Sequence, residues 1–174
     1  MTSQQPPLAS VATAEHDTGR FRQAMGRFLT GVAVVTSAGP QGPHGTTISS
    51  LTSVSLDPPM LLVCLSRQSY GAEVIRDAGT FTVNVLGRDQ SELAGWFATP
   101  GRPRGAAGFA GVAHRTGSTG APVLAGAVSH LDCRVAQRIP AGDHTIFLGE
   151  VAEVGLADSA DPLAYHQGQF LHLP

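Results

Sequence analysis

The sequence predicts a mainly β protein, an antiparallel barrel with helices packed outside it. β-Branched and apolar runs recur along the chain, at residues 31–36, 60–65 and 80–86 and again after Pro122. Segments with helical spacing are few and short. Strands and helices do not alternate in the βαβ manner that a parallel sheet requires.

Each element has its own signal. Residues 19–28 place Phe21, Met25 and Phe28 at i, i+4 and i+7, one face of a helix. Residues 31–36 (Gly-Val-Ala-Val-Val-Thr) read as a buried strand, and the Gly39-Pro-Gln-Gly-Pro43 turn opens a hairpin. Residues 44–56 carry Thr and Ser around Ile48, Leu51 and Val54 until Asp57-Pro58-Pro59 breaks the segment. An apolar strand over 60–65 follows, then a short helix over 69–77 stopped by Gly79. In 80–86, Phe81, Val83 and Val85 alternate with Thr82 and Asn84, the pattern of a half-buried strand. Residues 89–98 read as a helix, with Asp89 as cap and Glu92 three residues on. Residues 99–122, dense in Gly, Pro and Arg, read as a long loop of the kind that is functional or mobile. Two long strands, 123–138 and 144–154, turn at Ala141-Gly142-Asp143, and a short strand near 169–173 closes the chain.

The chain has 174 residues, the size of one domain, and 42% of them are hydrophobic, enough for a core. Residues 1–18, rich in Gln, Pro, Ser and Thr, read as a disordered lead-in to a single domain over 19–174. They show neither the basic nor the apolar region of a secretory signal. A formal charge of −2 gives no reason to expect nucleic acid or an anionic membrane as partner. Two cysteines make no disulfide framework, so a reducing cytoplasm is the expectation. All 11 basic residues are arginine, which excludes a Schiff-base lysine and a P-loop lysine. No two glycines are spaced Gly-x-Gly, which excludes the dinucleotide fingerprint of a Rossmann site. The scattered histidines predict no metal site.

Thr46, Thr47, Ser49, Ser50, Thr52, Ser53 and Ser55 put seven hydroxyls into ten positions. An exposed strand accounts for some of this, since Thr is favoured there. Surface strands, however, usually carry charge, and the nearest charges are Asp57 and Arg67. A neutral surface of this kind both donates and accepts hydrogen bonds, which suits a phosphate and the edge of a heteroaromatic ring. Ser66-Arg67-Gln68-Ser69 adds donors at a helix start, where an anion is favoured.

Five segments in this order resemble the flavin reductase family that serves two-component monooxygenases. They are Gly31-Val-Ala-Val-Val-Thr36, Gly45-Thr-Thr-Ile-Ser-Ser-Leu-Thr-Ser-Val-Ser-Leu-Asp-Pro-Pro59, Leu62-Val-Cys-Leu65, Phe81-Thr-Val-Asn-Val-Leu86 and Ala141-Gly-Asp-His-Thr-Ile-Phe-Leu-Gly-Glu-Val151. The resemblance covers about residues 21–170. It implies a split β-barrel of the flavin reductase-like, FMN-binding type. It also implies a homodimer that moves hydride from NADH or NADPH to FMN or FAD and supplies a separate oxygenase by diffusing reduced flavin. By the same resemblance, Thr30, Thr47, Ser49, Ser50, Ser53 and Ser55 surround the flavin. The turn from Cys64 and Leu65 through Ser66 to Ser69 holds its phosphate side, Asn84 and Phe97 lie near it, and His144 faces the nicotinamide. Thr46 stands where relatives often carry methionine, Ser49 where asparagine is frequent, and Ala107-Gly108 where a charged pair often precedes the phenylalanine.

Away from the resemblance, several of these residues have plainer readings. A lone histidine like His144 is more often structural, Cys64 and Cys133 read as small buried hydrophobes, and Trp96 and Phe97 read as core. Arg102 and Arg104 read as solvated, with a cofactor phosphate as the functional alternative. A pyridoxamine-phosphate-oxidase-like enzyme on the same barrel, or a flavin-binding module without turnover, also fits the residues.

Overall fold

In the computed structural model the described residues are 18–158 and 161–172. The lead-in expected over 1–18 lies outside them except for Thr18. The chain runs through α1 (Thr18–Gly26), β1 (Thr30–Gly31), β2 (Ala33–Gly39), β3 (Gly42–Ile48), β4 (Leu51–Leu56), β5 (Pro59–Ser66), α2 (Tyr70–Ala78), β6 (Thr80–Val85) and α3 (Ser91–Ala98). A 3-10 turn (Gly105–Phe109), β7 (His114–Thr116), β8 (Pro122–Leu124), β9 (Ser129–Ala141), β10 (His144–Leu156), β11 (Leu163–His166) and β12 (Gln169–His172) follow.

Seven strands form one antiparallel sheet in the order β3-β2-β6-β9-β10-β5-β4. Its two edges, β3 and β4, are consecutive in sequence and joined only by Ser49 and Ser50. The sheet therefore curls until its edges meet through the chain itself, yet no ladder joins them: the barrel is split. At this seam the Ser50 hydroxyl stands in for a backbone rung. It donates to the Cys64 carbonyl at 3.0 Å and accepts from the Cys64 N–H at 3.1 Å, one position beyond the last β4–β5 pair, Leu51 with Val63.

The run Val32-Ala-Val-Val35 is apolar throughout because both faces of β2 are covered. Ala33 and Val35 join Val63, Phe81, Val83 and Phe147 inside the barrel, closed at one end by Ala72 and Ile75 of α2. Val32 and Val34 face a second cluster outside it, with Ala94 and Phe97 of α3, Phe109 and Leu163. The N-terminus of α2 is set by Ser69, whose hydroxyl accepts from the Ala72 N–H at 3.2 Å, and its end by Gly79 at φ 68°.

The segment over 99–122 is better ordered than its composition predicts. The 3-10 turn packs on the β2–β3 hairpin, and Gly105, at φ +60°, lies where a Cβ would collide with the Gln41 carbonyl. Arg102 donates to the Gly45 carbonyl, contacts the His44 ring at 3.3 Å and lies over Phe97. Further along, Asp132 is fully buried, and its carboxylate accepts from the hydroxyls of Thr82, Ser118 and Thr119 and from the Thr119 N–H. Those bonds hold its pKa below the usual carboxylate range although burial acts the other way.

Four sequence expectations change. The segment 44–56 is two strands broken at 49–50, not one. Asp89 does not cap α3; Gln90 occupies that position, and its side chain instead bonds the Gly87 N–H and the Ala125 carbonyl. β9 begins at Ser129, because Pro122-Val-Leu124 pairs with β7 as a separate strand. β11 went unpredicted; it pairs with both β1 and β12.

Two outcomes test these contacts. Ser50→Ala strips the Cys64 amide and carbonyl of a partner and should cost about 1–3 kcal/mol, whereas Ser49→Ala should stay within about 0.5 kcal/mol. Urea midpoints measure this, and a Ser50→Ala midpoint equal to wild type would contradict the seam. His44 is buried, and its pKa is pushed down from 6.5 to about 4 by burial and then by the charges of Arg102 and Arg104. Between those values the unfolded chain takes up a proton that the folded chain refuses. Stability should fall as pH drops through that window, with the full penalty reached below about pH 4. His44→Gln should flatten that part of the stability–pH curve, and identical curves for the two proteins would be the contrary result.

Candidate functional site

The seam opens a groove. Thr46, Thr47, Ile48 and Ser49 line one wall, Ser50 lies at its base, and Cys64, Leu65, Ser66 and Ser69 line the other wall with His144, around a cavity of about 320 Å³. Sheet register explains His144: it pairs with Ser66 across β10–β5, and the Arg67 N–H donates to the Asp143 carbonyl at 2.9 Å. The β9–β10 turn is thereby fastened to the turn that precedes α2. Two further grooves adjoin and share Ile48 and Ser49. One, about 280 Å³, lies against Phe28, Leu29, Thr30 and Leu51. The other, about 230 Å³, lies against Ala98, Tyr165 and Phe170. Ser49 is thus the junction of all three.

The hydroxyls divide by what they already bind. Thr47 donates to the Ala94 carbonyl at 2.7 Å, which ties β3 to α3. Ser50 is committed to Cys64. Ser69 donates to the Ser66 carbonyl at 2.7 Å and caps α2. By contrast, the side chains of Ser49 and Ser66 have no hydrogen-bond partner among the described residues, and Thr30 Oγ1 is buried without one. A buried hydroxyl left unpaired is costly, and Thr30 belongs to the lining of a groove that Ser49 also lines.

Not every residue singled out in the sequence reaches the grooves. Asn84 is fully buried: its Nδ2 donates to the Val34 carbonyl and to Thr36 Oγ1, and its Oδ1 accepts from the Leu124 N–H at 2.8 Å. Phe97 is buried in the outer cluster. Ser55 accepts from the Asp57 N–H in a turn, and Ser53 is exposed on β4. Trp96 is partly exposed, with its indole N–H on the Gly108 carbonyl. Tyr165 and Phe170, ring centroids 5.6 Å apart, were missed. Their signal was Gln167-Gly168, both at positive φ, a two-residue hairpin turn between short apolar runs.

Charge is sparse in the grooves. The first turn of α2 directs its free N–H groups toward the Ser66–Ser69 turn, which favours an anion there. His144 Nδ1 lies 2.7 Å from Asp143 Oδ1, so in the neutral ring Nδ1 carries the proton and Nε2 keeps its lone pair. That bond, followed by the charge of His144, holds the Asp143 carboxyl below its ordinary value. Burial pushes the Cys64 thiol up, so it stays protonated at neutral pH, and Cys133, beside Asp132, is pushed up to about 12. Neither thiol has the lowered pKa of an activated cysteine. Among the described residues no three His, Cys, Asp or Glu side chains come together as a metal site requires. The grooves thus offer neutral hydrogen-bonding groups and, at the start of α2, a position that favours an anion.

Known proteins carry the same arrangement of elements. A family model described as flavin reductase like domain matches residues 25–174. The reductase component of 4-nitrophenol 4-monooxygenase/4-nitrocatechol 2-monooxygenase from Rhodococcus opacus is 44% identical over 166 residues, 95% of this chain and 86% of that protein. An NADH-dependent FMN reductase from Streptomyces nodosus subsp. asukaensis is 41% identical over 171 residues, 93% of this chain and 92% of that protein. Among solved structures, an NADH:FAD oxidoreductase from Streptomyces globisporus is 37% identical, with a TM-score of 0.86, over 97% of this chain and 99% of that one. That protein has also been solved in complex with NAD and FAD fragments. The chain belongs to the flavin reductase like domain family.

Proposed function

We propose that the protein is an NAD(P)H:flavin oxidoreductase, taking FMN or FAD with NADH or NADPH and supplying reduced flavin to a separate oxygenase component. The observation that carries this reading is the neutral seam groove, which the unpaired hydroxyls of Ser49 and Ser66 line together with Ser69 at the start of α2 and His144, with Thr30 in an adjoining groove that shares Ser49. The relatives named above support it. A flavin bound there supplies the hydride acceptor, and the nicotinamide supplies the hydride. The chain's own part is placement. Thr30 and Ser49 offer hydrogen bonds to a ring edge, and Ser66 with the start of α2 holds a phosphate. His144, oriented by Asp143, presents a flat face to a nicotinamide. Hydride transfer needs no protein acid or base, so orientation and exclusion of water account for the rate gain. A cytoplasmic location suits this chemistry, and no helix among the described residues is long and apolar enough to cross a membrane.

A homodimer belongs to the same proposal. No residue of α1 is buried. Phe21 and Phe28 are each 67% exposed and Leu56 on edge strand β4 is 90% exposed, with Met25, Leu29 and Val54 also open. Apolar surface of this extent is unusual on a monomer and fits a symmetric mate.

Two measurements follow. The purified protein should consume NADH or NADPH only when flavin is added. His144→Ala should lower the specificity constant for the nicotinamide about 5- to 150-fold, corresponding to roughly 1–3 kcal/mol, without moving the flavin titration. The His144 side chain is 47% exposed, so its loss should leave thermal stability unchanged. No consumption with any flavin–nicotinamide pair would refute the activity, and wild-type kinetics in the mutant would remove His144 from the site. Light scattering at micromolar concentration should return twice the chain mass; a monomer with full activity would contradict the dimer.

A further inference from the structure

One cationic cluster is left over from the site described so far. Ser69 lines the seam groove, and the next residue, Tyr70, opens α2 beside it. The Tyr70 ring is fixed from two sides. Its hydroxyl donates to Gln41 Oε1 at 3.1 Å, and the His44 ring meets it edge-on, with centroids 4.8 Å apart. Over the Tyr70 face lies the Arg104 guanidinium, 4.2 Å from the centroid. Its neighbour Arg102 is occupied by the Gly45 carbonyl, His44 and Phe97. Neither arginine forms an ion pair among the described residues; those found belong to Arg88, Arg115, His130 and His144. Burial and the two guanidinium charges keep His44 neutral at pH 7. Two positive charges therefore stand together beside His44, whose Nε2 lies 3.3 Å from Thr46 Oγ1 in the groove wall, and neither has an ion-pair partner among the described residues.

A guanidinium flat on an aromatic ring keeps its N–H edge free for a bidentate phosphate contact and its outer face free for a stacked base. Position relative to Ser69 bears on which phosphate that is. On the flavin reading the Ser66–Ser69 turn holds the phosphate nearest the ring, and Arg104 lies over Tyr70, the residue that follows that turn. A flavin with a single phosphate ends at the turn. A flavin dinucleotide continues by one more phosphate and an adenosine. We propose that Arg104, stacked on Tyr70, is the subsite for the adenylate half of FAD and makes this protein prefer FAD to FMN. The proposal rests on the flavin reading of the seam groove.

Fluorescence titration of the full chain with riboflavin, FMN and FAD tests it by binding alone. Arg104→Gln should weaken FAD about tenfold or more, the size of a lost charge-assisted contact. FMN and riboflavin affinities should stay as in wild type, which also reports that the variant is folded. The wild-type preference for FAD over FMN should shrink as salt rises. Equal weakening of FAD and FMN would make Arg104 a ligand of the inner phosphate and overturn the assignment. So would unchanged FAD binding. Wild-type protein that binds none of the three flavins would instead remove the flavin reading itself.

Discussion

Two strands that follow each other in sequence, β3 and β4, must serve as opposite edges of a seven-stranded sheet, with two residues between them. Curling the sheet brings the edges together, but β3 and β4 do not pair across the two-residue connection. The Ser50 hydroxyl, bonded to both the N–H and the carbonyl of Cys64, holds the crossing in place. Everything at the site is arranged around that seam. β5 runs from it into the Ser66–Ser69 turn and α2. β10, paired to β5, brings His144 to Ser66. α3 is tied to β3 through Thr47 and closes the outer face.

The same constraint accounts for the chemistry of the surface. A seam between barrel edges exposes backbone and short side chains, and hydroxyls can satisfy that backbone without bringing charge into the groove. Some of them are consumed in doing so, as Thr47, Ser50 and Ser69 are. Ser49 and Ser66 keep unpaired hydroxyls at the groove, and Thr30 keeps a buried one. On the proposed reading the hydroxyls around the seam serve both as structural devices and as a binding surface, and the two roles fall to different residues.

This division could not be read from the sequence. The seven hydroxyls and the five ordered segments were visible, and so were the barrel, the Ala141-Gly142-Asp143 turn and the short helix from Ser69 that Gly79 stops, because they rest on local pattern and turn chemistry. Which hydroxyl faces a groove and which faces a neighbouring carbonyl depends on the break at 49–50, and Ile48 through Leu51 gives no local sign of it. Asn84 was hidden for a similar reason: its alternating strand reads as half-buried, whereas Val34, Thr36 and Leu124 enclose it from two other elements. Tyr165 and Phe170 were missed because Gln-Gly is a weaker hairpin signal than Asn-Gly. Arg102 and Arg104 looked like solvated loop residues, and only the packing of 99–111 on the β2–β3 hairpin brings them to His44 and Tyr70.

The central claim is that the seam between β3 and β4 is where the flavin sits. A crystal structure of the protein with oxidised flavin tests it directly. The account predicts the ring against Ser49, within reach of Thr30, and the phosphate at the Ser66–Ser69 turn. A ring bound elsewhere, such as the cavity at Arg76, Val135 and Arg138, with the seam groove left empty, would contradict it.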